Sequence, residues 1–249
     1  MNDFTVWNMR KLKQFLLVMV VSFFTAVFFY TQTISQTAAF SANGVPKAVF
    51  KGENGIALTF NIGWGDEKAI PIIETLRKNG VKSATFFLSG AWAEQHPDIV
   101  KKIVKNGYEV GSLGYAYVDY TDVEPEKIRR DILKSQEVFK KLGLEHVKLL
   151  RSPTGHFDKT TLKIADQLGL TVVHWSINTD DWKNPGTEKI IEKASSAKDG
   201  DIVLLHASDA AKQTAAALPV IIHNLSKEGK FITISEMIAN GTTQTKLIP

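Results

Sequence analysis

The sequence contains no cysteine among its 249 residues. Disulfide bonds, thiolate metal sites and a cysteine nucleophile are therefore excluded, while the cellular compartment stays open. A glycine-rich dinucleotide fingerprint after the first predicted strand and a nucleic-acid-binding motif are also missing. The net charge of +4 comes with lysines that are scattered rather than massed in one run. We therefore expect a solvated basic surface and no nucleic-acid partner.

Charge is also missing from a long N-terminal stretch, residues 14–46. Within it, residues 15–30 form an almost wholly apolar run, so this run lacks the polar face of a soluble helix. Three basic residues stand just before it: Arg10, Lys11 and Lys13. Positive charge before such a run and none directly after it predicts an N-terminus inside and a domain on the extracytoplasmic side of a membrane.

The apolar run is a little long for a signal-peptide core and a little short for a full membrane span. An uncleaved anchor and a signal cleaved near Thr37–Ala39 both stay open, and we favour the anchor. The chain is accordingly predicted to be membrane-anchored or exported. Residues 1–45 would hold a cytoplasmic tip, the anchor or signal segment and a short linker, and residues 46–249 would form one domain.

The rest of the chain repeats one unit, in which an amphipathic helix ends at or near a glycine and a short apolar run follows. A glycine there supplies the left-handed residue that lets the chain turn into a strand. The predicted helices cover residues 66–79, 96–106, 124–142, 158–168, 187–198 and 210–228. The predicted strands cover residues 56–60, 83–88, 108–112, 147–150, 171–175, 201–205 and 231–234.

Most of these strands are continuously apolar, which is typical of parallel strands covered on both faces. Alternating strands and helices form either an open doubly wound sheet or a barrel. The missing dinucleotide fingerprint favours an α/β barrel of seven strands.

Functional side chains of such barrels cluster where the strands end. Arg151, Asp181 and His206 follow three predicted strands, and a histidine held by a carboxylate suits acid–base work on an ester or amide. Trp64 and Trp182 follow two strands and offer flat faces to a sugar. Structural roles are also open: His206 as a satisfied strand-end residue, Arg151 paired with Asp181, and Asp66 as a helix N-cap.

Five segments, in this order, resemble the motifs of the NodB-homology domain of the polysaccharide deacetylases, a carbohydrate esterase family. They are residues 59–66, 109–115, 151–155, 181–182 and 205–206. The resemblance runs from about residue 48 to residue 241 and is clearest for the PdaB-type sporulation proteins. It implies a distorted (β/α)7 barrel that acts on cell-wall or spore-cortex glycan.

The resemblance also implies that the metal site is lost. Active members place a catalytic base and a metal ligand where this chain has Asn61 and Ile62, and two histidine ligands where it has Leu113 and Tyr117. A metal such as zinc, which the family normally uses, needs imidazole and carboxylate donors. We therefore expect no bound metal cofactor.

Other family positions are retained. The resemblance implies that Arg151 orients the base position Asn61, that His206 is the general acid and that Asp181 stands behind it. The backbone N–H of Thr154 would stabilise an oxyanion. The residues predicted to contact substrate are Trp64, Trp182, Pro153, Thr154 and Leu205. A displaced base or a rebuilt metal site using Asp66, Glu67, Asp180 or His156 stays open.

Two functions of different class follow from these residues. The first is a hydrolase that removes acetyl groups from the amino sugars of cell-wall or spore-cortex glycan, although its standard metal-dependent activity is doubtful. The second is a catalytically inactive, degenerate deacetylase that still grips glycan strands during spore or envelope formation. The retained His206 and Asp181 favour the first, and the lost base and ligands favour the second.

Overall fold

The computed structural model describes residues 9–34, 47–240 and 243–246. The chain divides into two compact units, Met1–Val45 and Pro46–Pro249.

The first unit contains one described helix, α1 (Met9–Ile34), whose described side chains are exposed, as for Phe15 and Phe23. Within the described residues, no helix combines the length and the hydropathy expected of a transmembrane span. The predicted membrane segment is therefore not confirmed and stays a prediction. The predicted cleavage site at Thr37–Ala39 lies outside the described residues.

The second unit contains nine described strands and eight described helices. The strands are β1 (Ala48–Lys51), β2 (Ala57–Ile62), β3 (Thr85–Leu88), β4 (Glu109–Ser112), β5 (Leu149–Leu150), β6 (Thr171–Val172), β7 (Ile177–Asn178), β8 (Ile202–His206) and β9 (Gln244–Lys246). The helices are α2 (Ala69–Lys78), α3 (Gly90–Gln95), α4 (Pro97–Lys105), α5 (Pro125–Lys141), α6 (Lys159–Gln167), α7 (Thr187–Ser195), α8 (Thr214–Leu225) and α9 (Ile234–Ala239).

All six predicted helices are present, each inside its predicted range. Four of the closing glycines adopt a left-handed φ between 69° and 81°: Gly80, Gly107, Gly143 and Gly169. An added Cβ at these positions would meet no neighbour, so the backbone conformation alone explains the glycines. The prediction that glycines end these helices is thus confirmed at four of them.

Seven parallel strands form one sheet in the order β6-β5-β4-β3-β2-β8-β7. Arg151, directly after β5, hydrogen-bonds to Asn61 on β2 although β4 and β3 lie between them. In a flat sheet those three strand spacings would amount to about 14 Å, too far for one arginine side chain. The sheet must therefore curl, which places the ends of β5 and β2 face to face across a half-barrel.

The half-barrel stays open between β6 and β7, since no strand pairing joins these two within residues 47–240. Strand β1 lies across this opening: Val49 bridges Val173 just after β6, and Lys51 bridges Asp201 just before β8. A salt bridge of 2.8 Å between Lys51 and Asp201 reinforces the second contact. The predicted seven-stranded barrel is therefore confirmed as a parallel, curled sheet, but its ring is incomplete.

One predicted strand is wrong. Residues 231–234 form no strand; Phe231 makes an isolated bridge with Ile56, and Thr233 is the N-cap of α9, which begins at Ile234. Thr233 and Glu236 form a reciprocal capping box, which commits the backbone to a helix there. The seventh strand is instead the two-residue β7, which lies between the predicted strand at 171–175 and the predicted helix at 187–198.

The two faces of β2 separate the core from the interior of the half-barrel. Leu58, Phe60 and Ile62 are fully buried in the main hydrophobic cluster, together with apolar residues of α2 and α8. The alternate residues Thr59 and Asn61 hydrogen-bond to Arg151 inside the curl. Neighbouring residues of a strand point to opposite faces, so Asn61 and Ile62 lie in different environments despite being adjacent.

Candidate functional site

Arg151 and Asn61 meet inside the half-barrel at the carboxyl ends of β5 and β2. Arg151 Nη1 donates to Asn61 Oδ1 at 2.9 Å and to Thr59 Oγ1 at 3.0 Å. Its Nη2 donates to the carbonyl of His174 at 2.9 Å. The predicted approach of Arg151 to Asn61 is present, and the alternative pairing of Arg151 with Asp181 is wrong. Every partner of this guanidinium among the described residues is a neutral oxygen.

The charge of Arg151 is thus buried without a carboxylate partner in the described part of the domain. The side chain is 0% exposed, and its guanidinium carbon lies 4.0 Å from the centre of the Phe87 ring. Burial lowers the pKa of Arg151 to about 9, so the group remains charged near neutral pH. A buried cation held by neutral groups favours a negative charge at position 61, which Asn61 does not supply.

Asp181 and His206 form the predicted hydrogen-bonded pair. The carboxylate lies in a short 3₁₀ turn after β7, is 0% exposed, and stands 2.7 Å from His206 Nδ1. It also accepts from His206 N at 2.7 Å, Thr214 Oγ1 at 2.6 Å and Trp182 N at 3.0 Å. Because the carboxylate only accepts, His206 Nδ1 carries a proton and directs Nε2 away from Asp181. This arrangement suits acid–base chemistry at Nε2.

The third motif forms a tight loop after β5. Gly155 donates to the Ser152 carbonyl at 2.9 Å and has a left-handed φ of 86°, and a Cβ there would overlap the Trp175 ring. Thr154 is exposed at this turn, and its N–H donates to no acceptor among the described residues. The geometry therefore leaves this N–H available to a ligand, and its contact with an oxyanion stays a prediction.

The positions at which the family would hold a metal do not fit one. Ile62 and Leu113 are both 0% exposed hydrocarbon side chains, and Asn61 Oδ1 already accepts from Arg151. Tyr117 offers a phenol whose pKa is raised by partial burial, so it stays neutral. Among the described residues, no group of three or more His, Cys, Asp or Glu side chains is arranged to hold a metal ion.

Comparisons with known proteins agree with this architecture. A family model described as Polysaccharide deacetylase matches residues 49–173. The chain is 36% identical over 191 residues to a peptidoglycan-N-acetylglucosamine deacetylase of Bacillus cereus, a match covering 75% of this chain and 89% of that protein. The chain belongs to the polysaccharide deacetylase family. It is also 36% identical to the peptidoglycan-N-acetylglucosamine deacetylase PgdA of Listeria monocytogenes, but spans 40% of that longer protein.

Solved structures of the family, there called CE4, include inactive relatives. BA3943, a CE4 family pseudoenzyme from Bacillus anthracis, is 29% identical with a TM-score of 0.72, covering 78% of this chain and 69% of that one. The peptidoglycan N-acetylglucosamine deacetylase Bc1960 is 27% identical with a TM-score of 0.74, covering 83% and 100%. A BA3943 mutant is described as having restored enzymatic activity. The deacetylase fold thus occurs in both active and inactive proteins.

Two of the groups considered for a rebuilt metal site or a displaced base, Asp180 and His156, are each bound to another side chain. Asp180 is held by Lys193 and Lys183, whose hydrogen bonds lower its pKa. His156 Nδ1 is 2.6 Å from Asp119 Oδ2 on the exposed surface. Burial alone would raise the pKa of Asp119, but hydrogen bonds from Thr121 and His156 outweigh it and lower that pKa to about 2.

Asp66 and Glu67 are exposed in the loop before α2. The N-cap reading of Asp66 is wrong, because α2 begins at Ala69 and the residue before it, Lys68, makes no side-chain cap. The backbone N–H groups of residues 66–68 donate instead to the carboxylate of Asp209, which follows β8. Asp209 was not among the site residues predicted from the sequence. A carboxylate that caps a helix from 143 residues away leaves no local sequence signal.

The predicted sugar-contacting residues divide into exposed and buried ones. Trp64 is 57% exposed and Trp182 is 47% exposed, so both can meet a ligand. Pro153 is buried within the third-motif turn. The predicted contact of Leu205 with substrate stays a prediction, although its side chain is 0% exposed and belongs to the main hydrophobic cluster. Alternation along β8 explains this, because Leu205 and His206 point to opposite faces.

Tyr117 was considered in the sequence only as a lost metal ligand. Its ring is 49% exposed and lies against Gly63, where an added Cβ would stand 2.8 Å from the Tyr117 ring. Six large hydrophobic side chains are exposed in the described part of residues 47–246, and three of them are the aromatic residues Trp64, Tyr117 and Trp182. All three follow the carboxyl ends of strands, so this edge of the sheet presents an aromatic surface.

Proposed function

We propose that this deacetylase-family chain binds N-acetylated cell-wall glycan at the aromatic edge of the half-barrel and lacks metal-dependent hydrolysis. The proposal rests on two features seen together. Trp64, Tyr117 and Trp182 are exposed, and the positions where the family places metal ligands include the buried hydrocarbon side chains of Ile62 and Leu113. Flat aromatic faces suit the apolar faces of sugar rings, which bury area against them without needing a charge. Ile62 and Leu113 supply no donor for the metal that would activate water.

The lost base argues against standard hydrolysis independently of the metal. In an active member, a carboxylate at position 61 takes the proton of the attacking water. Here Asn61 presents an amide oxygen that already accepts from Arg151, and an amide takes up no proton near neutral pH. Two separate requirements of the reaction are thus absent from the same end of β2.

The substrate class is inferred from relatives. Several are peptidoglycan-N-acetylglucosamine deacetylases by name, including that of Bacillus cereus at 36% identity. A protein that shares their fold and carries exposed aromatic rings at the strand ends is suited to hold the same polymer. The N-terminal charge pattern supports placing the domain outside the membrane, where that polymer lies. A role in spore formation stays a prediction.

Removing one aromatic face tests the binding proposal. Trp64→Ala should weaken binding of an N-acetylglucosamine tetramer roughly tenfold, because losing about 50 Å² of apolar contact at about 25 cal/mol/Å² costs about 1.3 kcal/mol. Trp182→Ala and Tyr117→Ala should each have a similar effect. Isothermal titration calorimetry measures all three.

Leu133→Ala is the matched control for these variants. Leu133 is 43% exposed on α5 and offers no aromatic face, so its loss should leave the affinity unchanged. Trp64→Phe should retain most of the binding. Equal affinity of the wild type and all three aromatic variants would contradict the glycan surface.

A second function is favoured by one observation, the intact His206–Asp181 pair. A metal-free hydrolysis would have His206 Nε2 remove a proton from water as the water oxygen attacks the acetyl carbon. The N–H of Thr154 would stabilise the oxyanion. The imidazolium would then return the proton to the sugar nitrogen as the C–N bond breaks, which releases acetate and the free amine.

A further inference from the structure

The loop that carries Trp64 is anchored by a carboxylate outside its own strand–helix unit. Asp209, after β8, accepts hydrogen bonds from the consecutive backbone N–H groups of Asp66 (3.3 Å), Glu67 (3.0 Å) and Lys68 (3.0 Å). These groups lead into α2, whose own N-cap residue makes no side-chain hydrogen bond. A carboxylate at this end satisfies otherwise unpaired N–H groups and is favoured by the helix dipole.

Two further hydrogen bonds fix the same loop on either side of Trp64. Ser208 Oγ accepts from Gly63 N at 2.9 Å, and Trp92 Nε1 donates to the carbonyl of Gly65. Trp64 therefore lies between two tied residues while its own ring stays 57% exposed. An exposed aromatic on an untied loop would lose conformational entropy on binding, and anchoring the backbone removes part of that cost.

The loop that carries Trp64 is also closely packed on both sides. Gly65 has a φ of 80°, and a Cβ there would stand 2.2 Å from Asp209 Cγ. On the other side, a Cβ at Gly63 would overlap the ring of Tyr117. The loop is thus held between the Ser208–Asp209 segment and Tyr117, where larger residues would displace it.

We propose that Ser208 and Asp209 are positioning residues that orient Trp64 for glycan, so that the segment carrying His206 also sets the aromatic surface. This inference rests on the proposed glycan binding. It predicts that Asp209→Ala weakens binding of the N-acetylglucosamine tetramer about as much as Trp64→Ala, roughly tenfold. It also predicts that the double variant is no weaker than Trp64→Ala, because Asp209 acts through the Trp64 ring.

The test combines calorimetric affinities with ¹⁹F NMR of the protein labelled with 5-fluorotryptophan, in which Trp64→Phe identifies the Trp64 line. Asp209→Ala should move the Trp64 line toward the position of an unfolded chain and leave the Trp182 line in place. Asp209→Asn should give an intermediate shift, because its amide oxygen still accepts from Glu67 and Lys68. Ser208→Ala is a second, milder variant, and Asp166→Ala, an exposed carboxylate on α6, is the control.

The two readouts separate this inference from the proposed function. An unmoved Trp64 line in Asp209→Ala and Ser208→Ala overturns the positioning role whatever the affinities are. Additive losses of affinity in the double variant overturn it as well. A moved Trp64 line supports positioning even if Trp64→Ala leaves glycan affinity unchanged, and that unchanged affinity would count against the proposed function alone.

Discussion

Ile62→Asp is expected to lower the free energy of unfolding by about 4 kcal/mol, whereas Asn61→Asp is expected to leave it unchanged or raise it. The side chain of Ile62 is fully buried in the main hydrophobic cluster, so the substitution removes apolar contacts and buries a carboxyl group there. Asn61 lies on the opposite face of β2, 2.9 Å from the buried guanidinium of Arg151. A carboxylate at position 61 would turn a neutral hydrogen bond into a charge-assisted one.

Urea unfolding of both variants at pH 7 measures this difference, and pH adds a second check. Arg151 should hold the pKa of the carboxyl group introduced at position 61 below its unfolded value of about 3.9. The added stability should therefore be fully present above about pH 5 and be lost as the pH falls through the folded-state pKa. Equal destabilisation by the two substitutions would show that Arg151 does not favour negative charge at position 61.

This asymmetry separates position 61, where the family places the base, from position 62, where the family places a metal ligand. A carboxylate at position 61 would lie beside the existing cation Arg151. A carboxylate at position 62 would have to replace Ile62, whose side chain is part of the hydrophobic core. Recovering the family pattern through Asn61→Asp, Ile62→Asp, Leu113→His and Tyr117→His therefore meets its main resistance at Ile62 and Leu113, which are both fully buried.

Asp181→Ala is expected to destabilise the fold by roughly 3–5 kcal/mol. The fully buried carboxylate accepts four hydrogen bonds, from two groups of His206, the hydroxyl of Thr214 and the N–H of Trp182. Its removal would leave these donors without their acceptor. Thermal and urea unfolding of the variant measure the loss, and a change below about 1 kcal/mol would contradict the structural role.

His206→Gln is the matched comparison, since His206 is the last residue of β8 and 12% of its side chain is exposed. This variant should unfold within about 1 kcal/mol of the wild type. If the protein releases acetate from N-acetylglucosamine oligomers, His206→Gln should abolish that release. Persistence of acetate release in His206→Gln would show that another residue is the acid–base group.

Local signals in the sequence predicted much of the fold. Helical periodicity and closing glycines located six helices because both act within a few residues, and the order of strands and helices predicted the parallel sheet. The two-residue β7 was missed because it is too short to carry a pattern. Residues 231–234 were predicted as a strand because their apolar content outweighed the Thr233 capping box.

Two contacts of the candidate site could be predicted from the sequence. Arg151 near Asn61 and His206 on Asp181 followed from their positions after strands and from the family motifs. The anchoring by Asp209 depends on a backbone approach between distant segments, so the sequence alone carried no sign of it. The exposed ring of Tyr117 was likewise unpredictable, since exposure depends on the packing of the whole loop.

The central claim, glycan binding without a catalytic metal, is tested most directly by one calorimetric titration. An N-acetylglucosamine tetramer is titrated into the purified protein before and after dialysis against EDTA, with released acetate measured in the same cell. We predict the same dissociation constant in both states and no acetate release that depends on metal. Binding or acetate release that disappears with EDTA and returns with about one zinc ion per chain would contradict the account. Loss of that zinc upon replacement of Asp66 or His156 would identify a rebuilt catalytic centre.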